Sequence, residues 1–229
     1  MSEQIKFKIK NESKEKLHDL KIGFACFEKI KVQKNNDSVE KILNEAIEFA
    51  QNKFSDLQTI NDDNVVKSMR NIFSSIGIDP TKERPSGEAL LRRIISGKGV
   101  YRINTIVDAN NAVSIFTGFP CGVYDLSQIE GEIEFTVGTE QEFYEGIGGK
   151  SNSAKNRIVT KDNISIFGSP VADSKRTSIN PNTTNLLMLI YFPHNISEEL
   201  TNTSLKKAIH IIHEVSGGIN TQSGIFLTN

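Results

Sequence analysis

Several residue types are too scarce or too scattered in this sequence to support the chemistries they usually carry. Cys26 and Cys121 are the only cysteines, with no paired CxxC spacing, which suits a reducing cytosol. The histidines number 4. His210 and His213 sit one turn apart on a predicted helix, and no third ligand accompanies them, so neither a metal site nor a cofactor is expected. No apolar run approaches the roughly 20 residues of a membrane span; the best, Leu186 to Phe192, is strand-sized. The opening residues are charged and carry no apolar signal core, so a cytoplasmic, non-membrane protein is expected. A strong positive field is absent as well, with Lys+Arg 27 against Asp+Glu 28 and a net charge of −1. A protein that wraps duplex DNA through its phosphates would be basic, so DNA is not an expected partner and any nucleic-acid contact must be local. There are no repeats and no low-complexity linker.

What is present is ample for a packed core: 37% hydrophobic and 24% charged residues over 229 positions. Ile5 and Phe7 mark a short edge strand, and Ile22 to Phe27 a buried one. Asp37 or Ser38 caps a helix running to about Phe54, with Val39, Ile42, Leu43, Ala46, Ile47 and Ala50 on one face. Asp62 or Asp63 caps another, closed by Gly77. Pro85 and Ser86 open a third, with Leu90, Leu91, Ile94 and Ile95 inward and Gly97 after its end. A fourth runs from Asn104 to Gly118. Beyond Pro120 the period shortens to short β pieces at Val123–Leu126, Ile129–Val137, Glu142–Glu145, Arg157–Thr160 and Ile164–Phe167. Ser169 to Asn185 is a polar connection, and Leu186 to Phe192 a second buried strand. Ser197 caps a last helix, with Leu200, Leu205, Ala208, Ile209 and Ile212 inward and Gly217-Gly218 stopping it. Ile225 to Leu227 returns as an edge strand. One α+β domain over residues 1–229 is the simplest arrangement, with an N-terminal α/β part (1–83) and a β-rich part (84–229) carrying the central motif.

The stretch from Arg84 to Leu126 holds the unusual chemistry. Asn104, Asp108 and Asn111 fall at i, i+4 and i+7 on one helix face. An ordinary solvent face would favour better helix formers, so a hydrogen-bonding role follows, in a capping network or in a ligand site. Arg84, Arg92, Arg93, Lys98 and Arg102 crowd positive charge into one segment, Lys150, Lys155, Arg157 and Lys161 form a second group, and Lys175 with Arg176 a third. If they share a face they suit a phosphate backbone. Gly146 to Ser151 ends like a phosphate loop, but Tyr144 stands where its first glycine belongs, so it reads as a β connection.

Ile103-Asn104, Ile106-Val107-Asp108, Asn111, Val113, Gly118, Pro120, Tyr124-Asp125, Ile129-Glu130-Gly131 and Ile133 together resemble the B3/B4 editing module of the phenylalanyl-tRNA synthetase β subunit. Order and spacing hold without a gap. Arg84-Pro85-Ser86 with Glu88 to Arg93 resembles the opening signature of the stand-alone proteins of that type. The resemblance implies a three-layer fold, a β-sandwich with helices packed on it. It further implies a pocket for the aminoacylated 3′ end of tRNA, with tRNA or aminoacyl-tRNA as partner. By the same resemblance Asn104, Asp108 and Asn111 are the catalytic candidates, and Tyr124, Asp125, Asp173 and Thr177 the substrate contacts. Arg84, Arg92, Arg93, Lys98, Arg102, Lys175 and Arg176 are the tRNA contacts. The implied activity is hydrolysis of misacylated aminoacyl-tRNA in trans. The alternative is a non-catalytic module binding tRNA, a small amino-acid-like ligand or a protein. The chain departs from the synthetase pattern at Gly122, where the synthetase has a pocket histidine, and at about Leu189, where it has a glutamate. It also lacks the threonine-aspartate-alanine-serine run that precedes the last helix.

Overall fold

Every residue from Leu186 to Pro193 is buried. This is the mark of a strand covered on both faces, and its side chains divide the molecule into layers. Leu186, Met188, Ile190 and Phe192 join an apolar cluster with the helices. Leu187, Leu189 and Tyr191 join a second cluster between two sheets. Helices, central sheet and outer sheet therefore make a three-layer α+β sandwich, as the sequence implied.

The computed structural model describes residues 4–228. In chain order the elements are β1 (Phe7–Ile9), α1 (Lys14–Leu17), β2 (Leu20–Glu28), α2 (Asp37–Lys53), α3 (Leu57–Asp62), α4 (Asn64–Ser75), α5 (Ser86–Ile95) and α6 (Thr105–Thr117). There follow β3 (Cys121–Asp125), β4 (Ile133–Val137), β5 (Phe143–Glu145), β6 (Ser151–Ser153), β7 (Ile158–Lys161), β8 (Ile166–Gly168), β9 (Leu186–Pro193), α7 (Glu198–Ser216) and β10 (Ile219–Leu227). The central sheet has the order β10-β2-β9-β3 and the outer sheet β1-β4-β7-β8, with β5-β6 a separate hairpin. The central sheet is antiparallel throughout. The outer sheet has one parallel pair, β1 with β4.

Local chemistry sets most boundaries. The Asn36 side chain, one residue ahead of the expected caps, accepts from Val39 N at 2.9 Å and starts α2. Asp63 caps α4, Asn104 caps α6 and Ser197 caps α7, each through its side chain. Gly118 and Gly217 end α6 and α7 in the left-handed conformation. Other expectations shift. On α7 the inward stripe runs through Leu205, Ala208, Ile211 and Ile212. Leu200 is 41% exposed instead, and Thr201 and Ser204 are the buried residues of the first turns. Strand β6, Ser-Asn-Ser, carries no apolar signal and is held by its ladder to β5. Strand β10 is longer than the Ile225–Leu227 piece that its apolar residues mark.

Candidate functional site

Helices α5 and α6 meet at an open groove of about 520 Å³, lined among others by Arg84, Arg92, Arg93, Lys98, Tyr101 and Asn111. Its charge is organised by one acid. Glu88 is 1% exposed and takes a bidentate bond from Arg70, 2.8 Å to Nε and 2.6 Å to Nη2. It also accepts from Arg92 Nε at 2.6 Å. Arg84 Nε stands 3.7 Å from the same carboxylate, beyond hydrogen-bonding distance, and is buried without a partner. One carboxylate shared among three guanidiniums leaves positive charge in excess beside the groove, which Arg84 and Arg92 line. On the rim, the Arg93 guanidinium lies 4.1 Å from the centre of the Tyr101 ring, and that ring is 64% exposed. Among the described residues no Asp, Glu or His lines this groove.

The groove gathers Arg84, Arg92, Arg93, Lys98 and Asn111 from the sequence candidates. Asn111 has no side-chain hydrogen bond among the described residues and is half-buried. The other residues of its helix face act elsewhere. Asn104 Oδ1 accepts from Ile106 N and Val107 N at 3.1 and 3.0 Å, which is its capping role. Asp108 is buried and accepts from Ile103 N at 3.0 Å, bracing the turn into the helix. Burial raises its pKa against the opposing pull of that bond. Arg102 points to α2, 3.1 Å from Glu40. Lys175 pairs with Glu145 at 3.0 Å and Arg176 with Asp162 at 2.8 Å. Both line a different cavity, of about 490 Å³, beside Phe143 and Tyr144.

The named substrate residues lie on the sandwich side. Asp125 accepts from the Thr183 hydroxyl at 2.8 Å and from Ser127 N at 3.1 Å. Thr177 is fully buried, and its carbonyl receives Asp125 N at 2.8 Å. The Tyr124 hydroxyl donates to Asp173 Oδ1 at 2.7 Å. Burial pushes Asp173 up to about 7 despite that bond, and burial likewise holds the Tyr124 phenol well above its ordinary value. Gly122 and Leu189, where the sequence departs from the synthetase pattern, are directly opposite each other on β3 and β9. A Cβ on Gly122 would fall 2.1 Å from the Tyr124 hydroxyl, and one on Gly168 2.2 Å from it. Tyr124 and Leu189 thus fill the sandwich interior at this point. The two cysteines are quiet: burial pushes Cys121 and Cys26 each up to about 12, so neither is a thiolate at neutral pH.

Sequence reasoning did not find Arg70, Tyr101 or the burial of Glu88. The i, i+4 spacing of Glu88 and Arg92 was the one signal available; Arg70 arrives from another helix and leaves none. Asn110 was passed over too. Its Nδ2 donates to Cys121 O at 3.2 Å while its Oδ1 is buried without a partner.

A helix-covered β-sandwich with a positively charged groove on its helical side narrows the class, and sequence comparison specifies it. A family model described as the B3/4 domain matches residues 68–217. The chain belongs to the B3/4 domain family, and so to a module related to tRNA synthetases. The phenylalanine–tRNA ligase β subunit of Malacoplasma penetrans (strain HF-2) is 27% identical over 130 residues, 56% of this chain and 16% of that subunit. The chain therefore spans only a small part of the length of that curated relative. A crystal structure of an N-terminal fragment of the phenylalanyl-tRNA synthetase β subunit from Pyrococcus horikoshii shares the fold. Its TM-score is 0.50 at 11% identity, over 97% of this chain and 55% of that one. No helix among the described residues is long and apolar enough to cross a membrane.

Proposed function

We propose that this chain binds the aminoacylated 3′ end of a tRNA in the α5–α6 groove and clears misacylated esters in trans, in the cytoplasm. The observation that carries the reading is the convergence of Arg84, Arg92, Arg93 and Lys98 with Asn111 on one groove whose buried counter-charge is a single glutamate. Phosphates supply the anions that the groove does not provide for itself, and the exposed Tyr101 ring offers a stacking face for an unpaired base. The ester of an aminoacyl-tRNA is already reactive. With no acid or histidine in the groove, acceleration rests on orienting ester and water, on Asn111 as a donor, and on guanidinium charge near the carbonyl oxygen. The single-domain arrangement over residues 1–229 belongs to the same proposal.

A second reading, a binding module without turnover, draws on the filled sandwich interior at Gly122, Tyr124 and Leu189. Both readings are tested together by incubating purified protein with a panel of mischarged tRNAs, and by measuring tRNA retention across a salt series. Editing is expected to release the amino acid from at least one tRNA, with retention falling steeply as salt rises from roughly 50 to 200 mM. Arg84→Ala and Lys98→Ala weaken retention; Asn111→Ala leaves retention and removes turnover. Salt-sensitive retention with no turnover selects the second reading. The absence of both, at low salt, overturns the RNA assignment.

A further inference from the structure

Lys21 stands where the fold calls for an apolar side chain. It belongs to β2, an interior strand between β10 and β9. It shares the face that Ala25 and Phe27 bury against the helices. The residue is only 6% exposed. Its ammonium donates one hydrogen bond, 2.8 Å, to the Ile196 carbonyl. Among the described residues no carboxylate oxygen lies within 4.0 Å of it. An ammonium has three protons to donate, and buried charges in proteins are normally paired. This one has donors to spare and no counter-ion.

Lys21 also forms part of the wall of a cavity of about 400 Å³, with His194, Ile196, Glu198, Thr201, Asn202, Ile225 and Leu227. The volume falls at the lower end of the range for small-molecule sites. No lining residue is shared with the α5–α6 groove. Three walls are aliphatic. The Thr201 hydroxyl donates to Ser197 O at 2.9 Å, so toward the cavity it can only accept. The Asn202 amide makes no hydrogen bond among the described residues and is exposed. Two other titratable groups face the space, His194 and Glu198, and both are exposed. Glu198 favours the charged form of Lys21, while burial, the larger influence, lowers its pKa.

We propose that this cavity is a binding site for a short aliphatic monocarboxylate, with the carboxylate on the Lys21 ammonium and the Asn202 amide, and the chain against Ile196, Ile225 and Leu227. A ligand carboxylate gives the buried ammonium the counter-ion it lacks. The aliphatic walls select an unbranched or singly branched tail over a sugar or a polyol. Glu198 at the mouth disfavours a second carboxylate on the ligand.

The test titrates the purified protein with butyrate, hexanoate and octanoate, with hexanol and hexylamine as controls. It follows the melting temperature and the side-chain NMR signals of the lysines. Hexanoate is expected to stabilise the protein saturably and to shift the Lys21 ε-carbon and ζ-nitrogen signals, while hexanol and hexylamine do neither. Lys21→Met loses at least tenfold in hexanoate affinity, and Glu198→Gln gains about twofold. The wild-type NMR titration decides the matter even where Lys21→Met fails to fold. An unmoved Lys21 signal at millimolar hexanoate, or an equal response to hexanol, overturns the proposal.

Discussion

Two polar regions flank the segment from Ser169 to Asp173, and they follow opposite plans. On the helical side Val171 borders the groove, where Arg84, Arg70 and Arg92 share one buried glutamate and positive charge is left over. On the sandwich side the hydroxyls are matched from within. Tyr124 donates to Asp173, the Thr160 hydroxyl meets the Tyr191 hydroxyl at 2.8 Å, and Tyr144 donates to Ala172 O at 3.0 Å. The first region is open and incomplete without an anion; the second is closed and complete. The contrast is the reason the proposed partner is assigned to the groove, because a protein leaves charge unmatched at low cost only where water or a ligand reaches it.

Removing the buried acid beside the groove, Glu88, is the strongest way to break this contrast. Glu88→Gln strands three guanidiniums and is expected to destabilise the protein by about 4 kcal/mol. The same change leaves more positive charge, so tRNA retention at fixed salt rises in the protein that remains folded. Urea unfolding and a retention assay read the two opposite signs. Next in size, Gly122→Ala forces a methyl into the Tyr124 hydroxyl and is expected to destabilise by about 3 kcal/mol. If urea unfolding shows no loss, the sandwich interior is not filled as described.

The third test uses pH. Asp173 is raised in the folded state to about 7, so the folded protein holds a proton that the unfolded chain releases near its ordinary carboxylate value. Its contribution is fully present below that value and is lost as pH rises towards 7. Glu142 runs the other way. Its bond to Lys161 lowers it to about 2, so its contribution disappears only as pH falls from about 4.5 towards 2. Thermal melts should therefore show stability falling as pH rises from about 4 to about 7, a slope that Asp173→Asn removes. The smallest stability effect is expected at Asn111→Ala, within about 0.5 kcal/mol of wild type, with turnover lost. A large melting shift there would assign Asn111 to the framework.

The helix ends were legible because caps are local chemistry: Asn104, Asp63, Ser197, Gly118 and Gly217 each act within a few residues of themselves. Strand β9 was legible because a strand buried on both faces has no polar positions. Arg84, Arg92, Arg93 and Lys98 were read as one group, and they share one groove because α5 and the turns at its two ends present them. Arg102, read with them, meets Glu40, and Arg176, read with Lys175 as a separate group, meets Asp162. Neither choice is visible in spacing, since each partner comes from a distant element. The face of Asn104, Asp108 and Asn111 was ambiguous between capping and ligand binding. The first two brace the helix entrance, and Asn111 alone lines the groove.

The position of β2 has a consequence for how the chain acquires its fold. Lys21 to Glu28 pair with Leu227 to Ile219 on one side and, from Leu20 to Phe27, with Pro193 to Leu186 on the other. An interior strand made early must therefore wait for partners made far later. Until they arrive, its backbone donors and acceptors are open on both edges, and the apolar residues of α2 and α4 have no sheet to pack on. Closing loops of that length precedes any reward from the contacts. Folding should accordingly fall in the slow, millisecond-to-second range of non-local topologies. During synthesis, residues 20–28 form the segment most in need of protection from pairing with another chain.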